Sequence, residues 1–239
     1  MRPEALLPEH GDTAVPFTAE PRDGPAVRGF LHRPVAAGGD VLVLTHGAGS
    51  DCRAPLLVAV AQAFAAHGVA VLRCDLPYRQ AAPTGPPSPR TAARDREGLR
   101  EAVRAARRLA PGRAFLGGHS YGGRQASLLA ADDPALVDGL CLLSYPLHPP
   151  GRPDAPRTAH LGRLRTPTLF VHGSRDPFGS LAALEAARGL IPAPTALVPI
   201  EGGPHALARR RRDTAEARRV AEAAARAFLT LVTTSPGRR

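Results

Sequence analysis

Gly118-His119-Ser120-Tyr121-Gly122 is the stretch on which the reading of this chain turns. It follows the apolar run Ala114-Phe115-Leu116 and leads into residues 122–131, whose apolar positions recur with helical spacing. A short buried strand that bends sharply into a helix around a serine between glycines is the Gly-x-Ser-x-Gly elbow. Glycines on both sides let the backbone take strained dihedrals and let a neighbouring chain segment come close. Gly117, Gly118, Gly122 and Gly123 supply that freedom.

A carboxylate and an imidazole follow in order. Asp176 ends His172-Gly173-Ser174-Arg175-Asp176 and His205 ends Gly202-Gly203-Pro204-His205, each just past a strand-like run. A serine hydroxyl is a poor nucleophile at neutral pH, so an imidazole must take its proton and a carboxylate must orient that imidazole. Ser120, Asp176 and His205 are therefore the expected catalytic residues. Asp138 precedes its strand instead of following it, and His119 and His172 read as neighbours of the site. His46-Gly47-Ala48-Gly49 follows the run Val41-Leu42-Val43-Leu44, where the first oxyanion loop belongs. The backbone N–H groups of Ala48 and Tyr121 are the expected oxyanion donors.

The rest of the chain alternates between the two periods. Strands are expected at 14–18, 27–32, 41–45, 69–74, 114–116, 139–143, 168–171 and 195–200, the first two as an antiparallel pair. Helices are expected at 55–67, closed by Gly68, and at 91–109, 122–131, 181–188 and 213–231, the last opened by Asp213 and Glu216 as a capping box. Residues 75–89 read as a Pro-rich loop, and 144–167 as a modest loop too short for a large cap domain. The expectation is one α/β domain over residues 1–239, a doubly wound and mostly parallel sheet with its site at the carboxyl ends of the strands.

The order Ser, Asp, His is that of the α/β-hydrolases. The resemblance extends to His46-Gly47-Ala48-Gly49-Ser50-Asp51, Leu76-Pro77-Tyr78-Arg79, the elbow through Arg124, Tyr145-Pro146-Leu147-His148-Pro149-Pro150-Gly151 and Gly173-Ser174-Arg175-Asp176-Pro177-Phe178-Gly179. Together, over roughly residues 46–205, these resemble one α/β-hydrolase family. It includes bacterial dienelactone-hydrolase-like proteins, testis-expressed hydrolase-like proteins and the hydrolase-like part of a chromatin-complex subunit. The resemblance implies the α/β-hydrolase fold and the triad positions Ser120, Asp176 and His205. Dienelactone hydrolases themselves use a cysteine nucleophile, whereas this elbow holds serine.

Composition bounds the partners. The 239 residues carry a net charge of +10, with 31 basic and 21 acidic residues, and all the bases are arginine. Nine of the arginines fall between residues 209 and 239, against three acids. That end also has apolar residues at helical spacing, which suits a docked helix with a solvated basic face. Aromatics are 4% with no tryptophan, which leaves little to stack on bases, so no nucleic-acid partner is expected. The first ten residues lack the apolar core of a signal peptide and no run reaches the length of a membrane span, so a cytoplasmic protein with no membrane association is expected. Cys52, Cys74 and Cys141 form neither a paired framework nor a metal spacing and read as reduced thiols.

The expected activity is that of a serine hydrolase acting on a small-molecule ester, thioester or related acyl substrate, with no metal or cofactor. The alternative is a non-catalytic interaction protein on the same fold, since fold alone does not establish activity. His46, Tyr145 and His148 are candidate substrate-binding residues. Arg79 and Arg124 bind either an acidic substrate group or structural carboxylates such as Asp51. Nothing in the pattern fixes an oligomeric state.

Overall fold

Val41, Leu42, Val43 and Leu44 are all fully buried, which is what a strand covered on both faces requires. The computed structural model, which describes residues 14–36, 38–208 and 214–235, places them in the middle of an eight-stranded sheet. Its strands are β1 (Val15–Ala19), β2 (Val27–His32), β3 (Val41–Thr45), β4 (Ala70–Cys74), β5 (Ala114–His119), β6 (Gly139–Leu143), β7 (Thr168–Gly173) and β8 (Thr195–Ile200). Across the sheet the order is β1-β2-β4-β3-β5-β6-β7-β8. β1 and β2 pair antiparallel and β2 meets β4 antiparallel, while β3 to β8 run parallel.

Helices cover both faces. α1 (Pro55–Ala66) and α6 (Thr214–Thr234) lie on one, where Leu57, Val60, Phe64, Val220 and Phe228 pack on Leu42, Leu44, Phe115 and Val171. Phe228 meets Phe115 edge-on with ring centroids 5.0 Å apart. Full burial of one such ring stabilises the fold by about 2–3 kcal/mol. α3 (Ala92–Arg107), α4 (Tyr121–Asp132) and α5 (Leu181–Arg188) cover the other face, with Leu99, Val103, Leu129 and Leu184 against Val43, Leu72, Leu116 and Leu142. α1 starts with Pro55 in its first turn, where the missing N–H costs nothing. α5 is capped by the Ser180 hydroxyl, which accepts the Ala183 N–H at 3.1 Å.

The chain steps from β3 out to β4 and then back across to β5, so the winding reverses between β3 and β5. In open parallel sheets such a reversal opens a crevice at the carboxyl ends of the strands. The loops that follow β3, β5, β7 and β8 all emerge at that edge.

Most expected elements occur within a residue or two, and β2, β3, β6, β8 and α5 match end to end. β5 runs on through His119, straight into the elbow. Two elements depart from expectation. The five-residue helix α2 (Pro77–Ala81) forms inside the Pro-rich stretch, and a single 3-10 turn, Leu161–Arg163, interrupts the loop between β6 and β7. That connection carries no cap domain. Glu216 sits in the first turn of α6, whereas its expected capping partner Asp213 lies outside the described residues, as does the stretch 1–13. Among the described residues no helix is long and apolar enough to cross a membrane.

Candidate active site

Ser120 stands at the end of β5 with φ 51° and ψ −114°, a conformation that costs a non-glycine residue on the order of 1–3 kcal/mol. The surroundings impose it. The Ser120 N–H donates to the Leu143 carbonyl of the next strand at 2.8 Å, and the Ser120 carbonyl accepts the Arg124 N–H of α4 at 2.9 Å. Glycine is required on both sides by close approach. A Cβ on Gly118 would lie 2.8 Å from the Gly122 carbonyl carbon, and one on Gly122 would lie 2.5 Å from the His46 carbonyl oxygen.

His205, on the loop after β8, reaches Ser120 Oγ with Nε2 at 2.8 Å and Asp176 Oδ2 with Nδ1 at 2.7 Å. With Nδ1–H donating to the carboxylate, Nε2 is left to accept the serine proton. Asp176 has no exposed side-chain surface, and its other oxygen accepts the Phe178 N–H at 2.9 Å. Burial by itself would raise the Asp176 pKa. The hydrogen bond and charge of His205, the Phe178 N–H and nearby His172 outweigh burial and hold the carboxyl below its ordinary range.

Both the ring and the backbone of His205 are positioned by neighbours. Phe178 meets the ring edge-on with centroids 4.4 Å apart, and His119 donates from Nε2 to the His205 carbonyl at 2.9 Å. Leu207 then takes φ 61° as the chain folds back, its N–H bonded to the Pro204 carbonyl. His172 is fully buried and donates from Nε2 to the Gly179 carbonyl at 2.8 Å, which shapes the loop that carries Asp176.

The loop after β3 lies against the serine: a Cβ on Gly47 would be 3.5 Å from Ser120 Cβ. Two of its carbonyls, those of Gly47 and Ala48, are anchored by side chains behind the loop. The Gly47 oxygen takes bonds from His46 Nδ1 at 2.9 Å and the Tyr78 hydroxyl at 3.3 Å, and the Ala48 oxygen takes the same hydroxyl and Arg79 Nη2, both at 3.0 Å. In a trans peptide the C=O and the following N–H point in opposite directions, so anchoring the Gly47 oxygen turns the Ala48 N–H the other way. Tyr121 is the first residue of α4, and its N–H is one of the four without an acceptor inside the helix.

The model of the alpha/beta hydrolase domain family matches residues 38–233. The chain belongs to the α/β-hydrolase family. Solved structures share the fold. A dienelactone hydrolase from Anabaena variabilis superimposes with a TM-score of 0.70 at 22% identity, over 93% of this chain and 99% of that one. An alpha-beta serine hydrolase homologue from Coxiella burnetii gives 0.71 at 16% identity, over 94% and 100%. A serine hydrolase without a lid from Xanthomonas campestris gives 0.65 at 17% identity, over 99% and 100%.

In this hydrolase the other candidate residues divide. His46 is fully buried, its Nδ1 turned to the Gly47 carbonyl and its Nε2 accepting the Leu76 N–H at 3.1 Å, so it braces the loop from behind and presents nothing to a ligand. Tyr145 is also fully buried; its hydroxyl donates to the Arg157 carbonyl at 2.7 Å and its ring packs edge-on against Phe170. The positions expected to touch substrate thus serve as internal supports in these two cases. His148 is only half-buried, and its N–H meets the carbonyl of Phe178, the residue that stacks on His205. Among the described residues Arg79 pairs with no carboxylate. Its guanidinium donates to the carbonyls of Ser50, Ala82, Ala48 and Gly85, all within 3.2 Å.

Three supporting residues escape sequence reasoning. Asp95 of α3, wholly buried, accepts the Tyr121 hydroxyl at 2.7 Å and the Tyr78 N–H at 3.0 Å. Tyr78 falls inside a motif that flagged its neighbour, and Phe178 directly follows the Asp-Pro pair, but no local pattern assigns either a task. Beside the candidate site lies a cavity of about 550 Å³, lined on the α1 and α6 side by Ala54, Pro55, Leu56 and Ala217 and toward the serine by Ser50 and His119.

Proposed function

We propose that the hydrolase cleaves an ester, thioester or related acyl bond through an acyl-enzyme on Ser120. The observation that carries this reading is the unbroken line from Asp176 Oδ2 through His205 to Ser120 Oγ, with links of 2.7 and 2.8 Å. Solved relatives named as serine hydrolases support it at the level of fold.

As Ser120 Oγ attacks the acyl carbon, its proton passes to His205 Nε2, and Asp176 stabilises the imidazolium through Nδ1–H. The carbonyl oxygen gains the negative charge and is held by the N–H groups of Ala48 and Tyr121. His205 then gives its proton to the departing alcohol or thiol, leaving the acyl group on Ser120. Water enters, loses a proton to Nε2 and attacks the acyl carbon. Collapse of the second tetrahedral species frees the acid and returns the proton to Ser120 Oγ. The apolar cavity beside His119 is large enough for a small acyl or leaving group.

Hydrolysis of 4-nitrophenyl acetate and labelling by a fluorophosphonate test this directly. Ser120→Ala should abolish labelling and lower turnover at least about 10³-fold. A folded Ser120→Ala protein with undiminished turnover would remove the assignment. A folded wild-type chain that neither labels nor turns over any ester would favour the interaction role instead.

A further inference from the structure

Arg124 stands on α4 one turn past Ser120, about 6 Å farther along the helix axis. Arg157 stands on the connection that follows β6, its N–H bonded to the Leu147 carbonyl and its own carbonyl accepting the Tyr145 hydroxyl. That connection passes over the middle of α4, because His160 Nε2 donates to the Ser127 hydroxyl at 2.8 Å. Both arginines are half-buried. Burial lowers the basicity of Arg157, and the charge of Arg124 lowers it further. Burial, followed by the charges of Arg124 and Arg163, also brings His160 down to about 4 and keeps that imidazole neutral.

Two cations are thus set close together, yet among the described residues neither guanidinium donates to a carboxylate or a carbonyl. Arg124 Nε is wholly buried with no hydrogen-bond partner. The hydrolase's other deeply placed arginines differ. Arg79 places its N–H groups on four carbonyls, and Arg73 donates to His32 Nε2 and to the Cys52 carbonyl. A buried donor left unpaired and two like charges held together are both unfavourable, and an arriving anion relieves both at once. Paired planar guanidinium forks suit a carboxylate.

We infer that Arg124 and Arg157 form a receptor for a carboxylate carried by the substrate, a few bonds from the scissile carbonyl. The inference rests on the acyl-enzyme reading for its meaning in catalysis. The receptor lies on the α4 side of the sheet, and the apolar cavity lies on the α1 and α6 side. A substrate acidic at one end and apolar at the other therefore spans Ser120 between them.

The test compares 4-nitrophenyl hydrogen adipate with its methyl ester, matched in length and differing in one charge. Wild-type kcat/KM should favour the acid ester at least tenfold, and added salt should erode that preference. Arg124→Gln and Arg157→Gln should each reduce it at least fivefold, mainly through KM, while Arg124→Lys retains part of it. Arg163→Gln, which alters an exposed arginine paired with Asp132, should leave the preference intact. An equal preference in wild type and both glutamine variants overturns the inference. Calorimetric titration of adipate into Ser120→Ala protein reads the receptor without turnover. If no ester is cleaved, the acyl-enzyme reading fails by itself and this titration decides. Binding weakened at least tenfold by Arg124→Gln sustains the receptor, and the absence of binding to the parent protein ends it.

Discussion

The Tyr121 hydroxyl and the buried Asp95 carboxylate are joined by a 2.7 Å hydrogen bond, and the other oxygen of Asp95 holds the Tyr78 N–H. Tyr78 in turn fixes the Gly47 and Ala48 carbonyls. One carboxylate therefore aligns both backbone segments that carry the candidate oxyanion donors. Burial, reinforced by the bond and charge of Asp95, pushes the Tyr121 phenol far above its ordinary pKa and keeps it a donor.

Asp95 and Tyr78 act as positioning residues, so their loss should show in the transition state more than in binding. Asp95→Asn and Tyr78→Phe are each expected to lower kcat roughly tenfold with KM changed less than about twofold, since donors displaced from the oxyanion weaken its stabilisation. Steady-state kinetics on a short-chain aryl ester measures the split. A rise in KM at constant kcat would place the two residues in ground-state binding instead.

Asp176→Asn keeps the shape of the site but can offer an N–H to His205 Nδ1, which favours the tautomer that cannot accept the Ser120 proton. In serine hydrolysis of this type the expected loss in kcat is about 10³- to 10⁴-fold. The rate of fluorophosphonate labelling should fall with it, and labelling at the wild-type rate would show that Asp176 does not orient His205.

Stability should decline in mild acid. His119 and His160 are both held at about 4, chiefly by burial, against an ordinary value near 6.5, and His46 is lowered as well. Between these limits the unfolded chain binds protons that the folded chain refuses. Stability is therefore complete above about pH 6.5 and is lost as pH falls toward 4, by up to about 3 kcal/mol for each histidine so displaced. Asp176 has the opposite kind of shift, and its contribution is lost only at lower pH, as the carboxyl is protonated. Urea midpoints should drop between pH 7.5 and 5, and His160→Gln should flatten that slope. A midpoint that does not move with pH would contradict the burial of these rings.

Gly122→Ala reverses a usual rule. Alanine in a helix interior ordinarily gains about 1 kcal/mol over glycine. Here its Cβ would meet the His46 carbonyl oxygen at 2.5 Å and Thr45 Cγ2 at 2.6 Å. Separation of α4 from the loop after β3 should cost about 2–3 kcal/mol and depress turnover with it. Chemical denaturation checks the first effect, and an unchanged or raised midpoint would mean that the two segments yield freely.

Strand positions were legible because a doubly covered sheet needs unbroken apolar runs such as 41–44 and 140–143, and the loops that follow them name the site. The supports were not legible. Asp95 is one of several acids on a helix rich in arginine and glutamate, and only folding reveals that it is wholly buried against Tyr78 and Tyr121. α2 was hidden by the prolines that follow it, although Pro77 in its first turn is a position where proline starts a helix. Tyr145 reads as a contact because its loop starts at the carboxyl end of a strand, a placement shared by residues that brace a loop from beneath, as His46 and Tyr145 do.

His205 meets Ser120 across 85 residues of chain and Asp176 across 29, and it depends on β8, an edge strand whose one partner in the sheet is β7. Such distant pairings form late, after shorter loops have closed. Renatured protein should regain its helical signal before its catalysis, and in a chain without tryptophan the return of turnover is a natural clock for the docking of that last strand.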